Sequence, residues 1–234
     1  MIYIIQNYWR AFLYTDGYNM TGLAMTLWLL VSACGIGFCL ALPLAIARNA
    51  RNPLFWGPVW FYTFVIRGTP LYVQLLIVYT GVYSLGVVQH TPALNTFFRQ
   101  GINCTILAFA LNTGAYTTEI FAGAIRDTSF GEVEAGRALG MSQFTLYRRI
   151  IIPSALRRAL PMYSNEVILM LHATTLAFTA TVPDILKVAN DANSATYDSF
   201  NAFGLAALIY LCISFTLIFG FRRAERHFLA YLHP

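Results

Sequence analysis

The sequence predicts an all-α, polytopic membrane protein, and two observations support this fold class. Hydrophobic residues make up 58% of the 234 residues and charged residues only 11%, whereas a soluble domain carries about 25% charged residues. In addition, residues 17–47, 68–98 and 199–221 contain no Asp, Glu, Lys or Arg. Each of these runs exceeds the roughly 20 residues that a helix needs to cross a bilayer. The composition and the uncharged runs together exclude a soluble fold.

Five transmembrane helices are expected within a single domain that covers residues 1–234. Their approximate ranges are 20–47, 57–85, 101–124, 155–181 and 199–221. Arg67, Gly68 and Pro70 interrupt the second range, so this span is predicted to be broken. The stretch before the first span, IYIIQNYWRAFLY, is typical of a short interfacial helix and not of a cleavable signal peptide.

The distribution of basic residues predicts the orientation of the chain. Eleven of the 15 Lys and Arg residues fall in the first connection, the third connection and the C-terminal segment, whereas the fourth connection carries Asp184, Asp191 and Asp198. By the positive-inside rule, the N-terminus is periplasmic and the C-terminus is cytoplasmic. The basic excess therefore reflects topology, and no nucleic-acid partner is expected. The eleven residues are Arg48, Arg51, Arg126, Arg137, Arg148, Arg149, Arg157, Arg158, Arg222, Arg223 and Arg226.

The third connection, about residues 126–153, contains a polar and helix-prone stretch, EAGRALGMSQ. Glu134 is expected near the start of a short helix, where a carboxylate complements the helix dipole, and Arg137 at i+3 can pair with it. Gly140 is predicted to end this helix, and Ser142 to cap the next one. By spacing alone, an ordinary helical loop and a docking surface for another protein fit equally well. The small residues that would allow a close approach are Ala135, Gly136, Ala138 and Gly140.

A family resemblance favours the docking interpretation. Residues 134–153 match the EAA signature of permease subunits in ABC importers: Glu-Ala-Gly, then Gly140 after three residues, then Ile-x-Ile-Pro after nine more. The family pattern has Ala in place of Gly136 and Leu in place of Ile152. The resemblance implies a type I ABC importer permease, in which this stretch is the coupling helix that inserts into a groove of the ATP-binding subunit.

Three further stretches resemble the polar amino acid branch of these permeases: RGTPLYVQLL (67–76), NTGAYTTEIFAGAIR (112–126) and PMYSNEVILMLHATTLAFTATVPDIL (161–186). The resemblance implies a multi-pass protein of the bacterial inner membrane that imports polar, cationic amino acids, namely histidine, lysine, arginine and ornithine. It also implies four kinds of partner: a second homologous permease subunit, two ATP-binding cassette subunits, a periplasmic amino-acid-binding protein and membrane lipids. This chain would bind no cofactor, because the ATPase subunits would hold ATP and Mg²⁺.

The residues themselves exclude several activities. The single lysine, Lys187, follows no glycine-rich loop, so the chain has no P-loop with which to hydrolyse ATP. Neither HExxH nor GxSxG occurs, and no catalytic or metal site is expected. A secondary transporter or channel subunit that uses Glu119, Glu166 and His172 stays open on the residues alone. Five spans without a visible internal repeat are few for such a carrier.

Two groups of membrane residues are predicted to serve transport. Arg67, Gly68, Thr69 and Pro70 are expected either to shape a cytoplasmic gate or to anchor the second span through a snorkelling arginine. Glu119 and Glu166 are expected either to contact a cationic substrate or to pair with helix-end arginines such as Arg126 or Arg157. The predicted path residues are Asn112, Tyr116 and Glu119 on the third span, with Gly123 continuing that face, and Asn165, Glu166, His172, Thr175 and Thr179 on the fourth.

Overall fold

The computed structural model describes residues 2–229, and within this range the chain forms helices and turns but no strand. The helices are α1 (Ile2–Leu13), α2 (Gly22–Arg48), α3 (Pro53–Arg67), α4 (Leu71–Leu76), α5 (Gly86–His90), α6 (Pro92–Phe98), α7 (Gly101–Arg126), α8 (Phe130–Ala138), α9 (Gln143–Leu146), α10 (Ile152–Ala173), α11 (Ile185–Thr196) and α12 (Ser199–Phe228). A π-helical segment, Ile77–Val82, continues α4, and a second one, Tyr147–Ile151, joins α9 to α10. A 3₁₀ segment, Thr174–Ala180, continues α10.

Two of the described helices, α2 and α12, are long and apolar enough to cross a membrane, each with a mean hydropathy of 2.3. The pair formed by α3 and Leu71–Val82 is apolar enough for a third span, but it is bent by 102°. This bend confirms the predicted break at residues 67–70. Helices α7 and α10 have 26 and 22 residues, which is sufficient length, but more polar sequences. The number of five spans therefore stays a prediction.

The centre of the bundle is the contact between α2 and α7, which small residues allow to be close. A Cβ atom on Gly37 would lie 2.5 Å from the Cγ2 atom of Thr113, and one on Gly114 would lie 3.6 Å from the Gly37 Cα atom. Ala41, Ala45 and Ala122 are fully buried along the same two helices. Such small residues let the backbones of membrane helices approach and pack by van der Waals contact.

At the end of the bundle that is predicted to be periplasmic, α1 and α11 pack on α12 around Ile4, Phe12 and Ile185. The turn into α2 allows no side chain at Gly22, which has a φ of +57°. A Cβ atom there would lie 2.2 Å from the carbonyl oxygen of Phe12. The Gly22 N–H donates to the Pro183 carbonyl at 2.8 Å. These contacts join the N-terminal helix to the segment that precedes α11.

The fourth predicted span, 155–181, is not one continuous α-helix. Helix α10 ends at Ala173, and the chain continues as a 3₁₀ segment to Ala180. The hydroxyls of Thr174, Thr175 and Thr179 each donate to the carbonyl three residues earlier, at 2.6–2.7 Å. Such local bonds compete with the α-helical pattern. Because a 3₁₀ helix has three residues per turn, the polar stripe expected from α-helical spacing is not maintained beyond Ala173.

Candidate functional site

A cavity of about 610 Å³ lies between the C-terminal end of α3, α7 and α10. It brings together five of the residues predicted for the gate and the substrate path, which are separated in sequence by up to 99 positions. The remaining wall is formed by Ile120, Pro161, Met162 and Leu169. The five predicted residues on its surface are Arg67, Tyr116, Glu119, Asn165 and Glu166.

Glu119 is held by two neighbours on the wall of this cavity. Arg48 Nε donates to Glu119 Oε1 at 2.9 Å, and the Thr63 hydroxyl donates to the same oxygen at 2.7 Å. The two charged side chains are 21% and 17% exposed. The predicted alternative of pairing with a helix-end arginine is confirmed for Glu119, but the partner is Arg48 and not Arg126 or Arg157. Arg48 ends α2, so the ion pair connects the first span to α7.

Glu166 has a different environment. It is only 6% exposed and forms no ion pair within residues 2–229, and the Thr113 hydroxyl of α7 and the Arg67 guanidinium lie near it. The guanidinium of Arg67, which lines the same cavity, lies over the ring of Tyr116 at 5.3 Å from the centroid. The structure thus supplies one carboxylate without an ion-pair partner and one arginine that is stacked but not ion-paired in the described part of the chain.

The other predicted path residues lie outside the cavity. The Asn112 amide is buried and donates to Gln74 Oε1 at 3.1 Å. His172 contacts the Ser214 hydroxyl of α12 at 3.2 Å. His172 is seven residues from Asn165, which places it roughly 10 Å further along the helix. Thr175 donates to the His172 carbonyl, and Thr179 to that of Leu176, both within the 3₁₀ segment. The stripe expected on the fourth span is therefore interrupted after Ala173, and the roles of these residues in transport stay predictions.

Gln74, which the sequence analysis missed, organises the break in the second span. Its Nε2 atom donates to the carbonyls of Ile66 at 2.7 Å and Thr69 at 3.0 Å, and its Oε1 atom accepts from Asn112. It is also 2.8 Å from the Thr69 hydroxyl. A break leaves backbone carbonyls without helical partners, and in a membrane other groups must satisfy them. The available signal was a single glutamine in an otherwise apolar run, LYVQLL.

The coupling-loop prediction is largely confirmed in its local geometry. Helix α8 ends at Ala138, and Gly140 has a φ of +74°. The Gly140 N–H donates to the Arg137 carbonyl and the Met141 N–H to that of Gly136, which is the Schellman pattern of helix termination. Ser142 then caps α9 by accepting from the Thr145 N–H at 3.3 Å. Both predicted end signals therefore act as expected.

Three details of that loop differ from the prediction. The helix begins at Phe130, so Glu134 lies in its middle, and Glu132 is the acidic residue of the first turn. Among the described residues Glu134 forms no ion pair with Arg137. Gly136 faces inward, because a Cβ atom there would lie 2.6 Å from Leu146 Cδ1 and 2.9 Å from Ile150 Cδ1. The outward surface is formed by exposed residues, including Glu134, Ala135, Ala138 and Gly140.

The loop, the broken span and the polar cavity are the features expected of a permease. Comparison with known proteins supports this interpretation. Residues 37–228 match the family of binding-protein-dependent transport system inner membrane components. The chain belongs to this family. It is therefore a multi-pass transport component of the inner membrane and not an enzyme. Membership also decides against the alternative of a secondary transporter or channel subunit.

Curated relatives match most or all of the chain. The histidine/lysine/arginine/ornithine transport system permease protein HisM of Salmonella typhimurium is 61% identical over 99% of both chains. The HisM protein of Escherichia coli is 60% identical over 100% of this chain and 98% of that protein. The nopaline transport system permease protein NocM of Agrobacterium fabrum is 42% identical, with 78% of this chain and 76% of that protein covered. The chain is a permease of the polar amino acid branch of ABC importers.

Solved structures support the same fold. A crystal structure of an amino acid ABC transporter with histidines is 32% identical, with a TM-score of 0.76, and covers 87% of this chain and 90% of that one. An inward-facing MetNI methionine ABC transporter has a TM-score of 0.72 at 14% identity, over 87% of this chain and 93% of that one, and shows the fold alone. An ABC importer permease acts with ATPase subunits, which supply the ATP hydrolysis that this chain lacks.

Proposed function

We propose that this permease carries cationic amino acids, namely histidine, lysine, arginine and ornithine, through the cavity between α3, α7 and α10. The observation that carries the proposal is the buried carboxylate of Glu166, which lines the cavity without an ion-pair partner in the described part of the chain. An unpaired carboxylate inside a membrane is costly and points to a functional cation. The HisM relatives, named for transport of these four amino acids, support this assignment.

The charges in the cavity fit such a substrate. Glu119 is already neutralised by Arg48, so it contributes no free negative charge. Glu166 and Arg67 are then the two charged groups available to a ligand, and they are of opposite sign. Glu166 would contact the cationic side chain, Arg67 would contact the α-carboxylate, and Asn165 would supply neutral polar contacts. Glu119 thereby becomes a structural residue of the wall.

The test compares Glu166→Gln with Glu225→Gln in the assembled importer, reconstituted in proteoliposomes with its binding protein. Glu225 lies on α12 outside the cavity, where its carboxylate accepts from the Ser164 hydroxyl. Loss of one charge-assisted contact should lower arginine uptake by about tenfold or more in Glu166→Gln. Uptake of histidine at pH 8, where its side chain is neutral, should fall much less. Equal loss for arginine and neutral histidine, or normal arginine uptake, would remove Glu166 from the path.

The segment from Arg67 to Pro70 is proposed as the gate of this path. Its bend of 102° is supported by Gln74, and Arg67 faces the cavity, an arrangement that suits a gate better than an interfacial anchor. In a Thr69→Cys variant, crosslinking to the second permease subunit should differ between the ATP-bound and nucleotide-free states. Crosslinking that is independent of nucleotide would favour the anchor.

The remaining partners follow from the family and from the loop. A second, homologous permease subunit would complete the path, and α8 would dock on one of two ATP-binding cassette subunits that hold ATP and Mg²⁺. A periplasmic amino-acid-binding protein would deliver the ligand at the opposite side. The exposed face of α8, which includes Glu134, supports the docking role, whereas Gly136 serves the internal packing of the loop. Copurification of the complex from cells that express this chain with a single affinity tag tests the composition.

A further inference from the structure

The hydroxyl of Thr113 on α7 is a buried polar group that the helix itself does not satisfy. Its residue is 1% exposed, and its Oγ1 atom has no hydrogen-bond partner in the described part of the chain. On the same helix, the hydroxyls of Thr105 and Thr118 each donate to the carbonyl four residues earlier, at 2.8 and 2.6 Å. A buried hydroxyl without a hydrogen bond is costly, so the Thr113 hydroxyl needs an acceptor from another element.

The direction of this hydroxyl is set by the close contact between α2 and α7. The methyl group of Thr113 packs on Gly37, because a Cβ atom there would lie 2.5 Å from Thr113 Cγ2. Threonine is branched at Cβ, so a single χ1 angle places its methyl group and its hydroxyl together. Since the methyl group is held against α2, the hydroxyl is directed at a different neighbour.

That neighbour is the Glu166 carboxylate of α10, which lies near the Thr113 hydroxyl. Thr113 shares a face of α7 with Tyr116 and Ile120, at i+3 and i+7, and both of these residues line the transport cavity. The Cys34 thiol of α2 also lies near this hydroxyl. A thiol is a weak acceptor and a carboxylate a strong one, so the Glu166 carboxylate is the acceptor that suits Thr113.

The two charged groups that are available to a ligand in the cavity need to be held in place. The Arg67 guanidinium is held over the ring of Tyr116, at 5.3 Å from the centroid. No ion pair fixes the Glu166 carboxylate in the described part of the chain. A charge contributes fully to binding when neighbouring hydrogen bonds keep it in the productive geometry. Thr113 is buried and does not line the cavity, so its hydroxyl can hold Glu166 without contacting the ligand.

We propose that Thr113 is a positioning residue for Glu166: its hydroxyl donates to one carboxylate oxygen and directs the other towards the cationic side chain of the substrate. This inference rests on the proposed function, because Thr113 has this task only if Glu166 contacts the cation. The donor is a neutral hydroxyl, so the carboxylate keeps its negative charge. Thr113 thereby favours cationic over neutral substrates although it contacts neither.

Uptake of arginine and of histidine at pH 8 by the reconstituted importer, at substrate concentrations below saturation, tests the proposal. Thr113→Val keeps the shape of the side chain and removes the hydroxyl. It should lower arginine uptake about fivefold, the effect of one lost hydrogen bond, while uptake of neutral histidine stays close to wild type. The matched control is Thr118→Val, since Thr118 is also buried on α7 but donates within its own helix. In a Glu166→Gln background, Thr113→Val should not change the ratio of arginine to histidine uptake further.

A second pair of variants separates the hydroxyl from the packing of the methyl group. Thr113→Ser and Thr113→Ala both remove the methyl group from its contact with Gly37, but only serine retains a donor. The ratio of arginine to histidine uptake should therefore stay near wild type in Thr113→Ser and fall in Thr113→Ala. This pair decides the question if Thr113→Val does not assemble.

Two results would overturn the positioning role. One is an equal loss of arginine and histidine uptake in the variants without the hydroxyl, and the other is a ratio that matches that of Thr118→Val. Normal arginine uptake by Glu166→Gln would reject the proposed function, and this inference with it. A selective defect in Glu166→Gln that is absent from Thr113→Val and Thr113→Ala would reject this inference alone.

Discussion

The side-chain amide of Asn112 donates a hydrogen bond of 3.1 Å to the side-chain amide of Gln74, across the contact between α7 and α4. This pair connects the polar third span to the break in the second. Gln74 is 8% exposed and Asn112 is 7% exposed, so both amides depend on protein partners for their hydrogen bonds. Asn112, which is predicted to line the substrate path, thus donates to the residue that supports the break in the second span.

We expect Gln74→Leu to destabilise the permease, because it leaves the Asn112 amide and the carbonyls of Ile66 and Thr69 without their partner. Burial of an unsatisfied polar group costs about 1–3 kcal/mol. The melting temperature of the assembled complex should fall, and a second substitution, Asn112→Leu, should restore part of the loss. The matched control is Gln89→Leu, since Gln89 is exposed and makes only a 3.3 Å contact to the Tyr83 carbonyl. Equal melting temperatures for Gln74→Leu and Gln89→Leu would show that the amide does not support the break.

Elements with a strong local signal could be predicted from the sequence. The uncharged runs determine α2 and α12, Gly68 and Pro70 indicate the break, and Gly140 and Ser142 indicate the ends of α8 and α9. These signals are local because hydrophobicity, backbone freedom and capping act within a few residues. The sequence was therefore sufficient for the class of fold and for the end of α8 and the start of α9 in the coupling loop.

Elements that depend on contacts between distant residues could not be predicted in the same way. The partner of Glu119 is 71 residues away, at Arg48, and no periodicity links the two positions. The change from α to 3₁₀ after Ala173 was missed for a different reason: its threonine hydroxyls bond locally, to carbonyls three residues earlier, but the sequence there has no glycine or proline to mark the change. Gly136 was assigned to an outer surface because its inward contacts, Leu146 and Ile150, lie beyond a turn.

The pair of Arg48 and Glu119 gives a second prediction. Arg48→Gln should reduce the stability of the complex by about 1–3 kcal/mol, because it leaves a half-buried carboxylate with only the Thr63 hydroxyl. Glu119→Gln should reduce it less, since an arginine at a helix end can reach water. The double variant should lose less stability than the two single variants lose together. A double-mutant cycle based on melting temperatures would measure this difference. Additive losses would mean that the 2.9 Å contact contributes no coupling.

The end of α8 gives a third prediction. A Cβ atom on Gly140 would meet no atom within 4 Å, so a substitution there acts only through the positive φ. Gly140→Leu should strain the turn by about 1–2 kcal/mol, whereas Gly140→Asn should be tolerated, since asparagine adopts this conformation more readily. We expect Gly140→Leu to insert normally but to lower uptake per ATP hydrolysed, with Gly140→Asn close to wild type. Similar ratios of uptake to hydrolysis in both variants would exclude a role for this turn.

Charge reversal at Glu134 tests the face of α8 without touching its turn. Glu134 is exposed and forms no ion pair within the described residues, so Glu134→Lys should leave the fold and the membrane level unchanged. If α8 docks on the ATPase, the reversed charge should uncouple hydrolysis from transport. Uptake and ATPase activity are measured at matched expression, and normal transport by this variant would contradict the docking of this face.

Asp184 caps α11 and Asp198 caps α12. They give a final prediction, in which the two carboxyl groups change the free energy of unfolding with pH in opposite directions. Asp184 accepts from the Lys187 N–H at 2.9 Å and from the Tyr210 hydroxyl at 3.3 Å, and it is fully buried. Burial raises the pKa of Asp184 from an ordinary value of 3.8 to about 6. Asp198 accepts from the Asn201 side chain and N–H, and these hydrogen bonds lower the pKa of its carboxyl.

Between pH 4 and pH 6 the folded chain retains a proton on Asp184 that the unfolded chain has released, so the free energy of unfolding falls as pH rises through this window. Asp184→Asn keeps an acceptor for the cap but removes the cost of a buried charge. This variant should therefore be at least as stable as the wild type at pH 7.5, with a flatter pH dependence between 4 and 6. Asp198→Asn removes a negative charge that the folded chain stabilises above pH 4. The melting temperature of this variant should therefore be slightly below that of the wild type at pH 7.5 and equal to it in acid. Both series are measured on the assembled complex, and a marked loss of stability at pH 7.5 in Asp184→Asn would show that the buried group is held as a favourable charge.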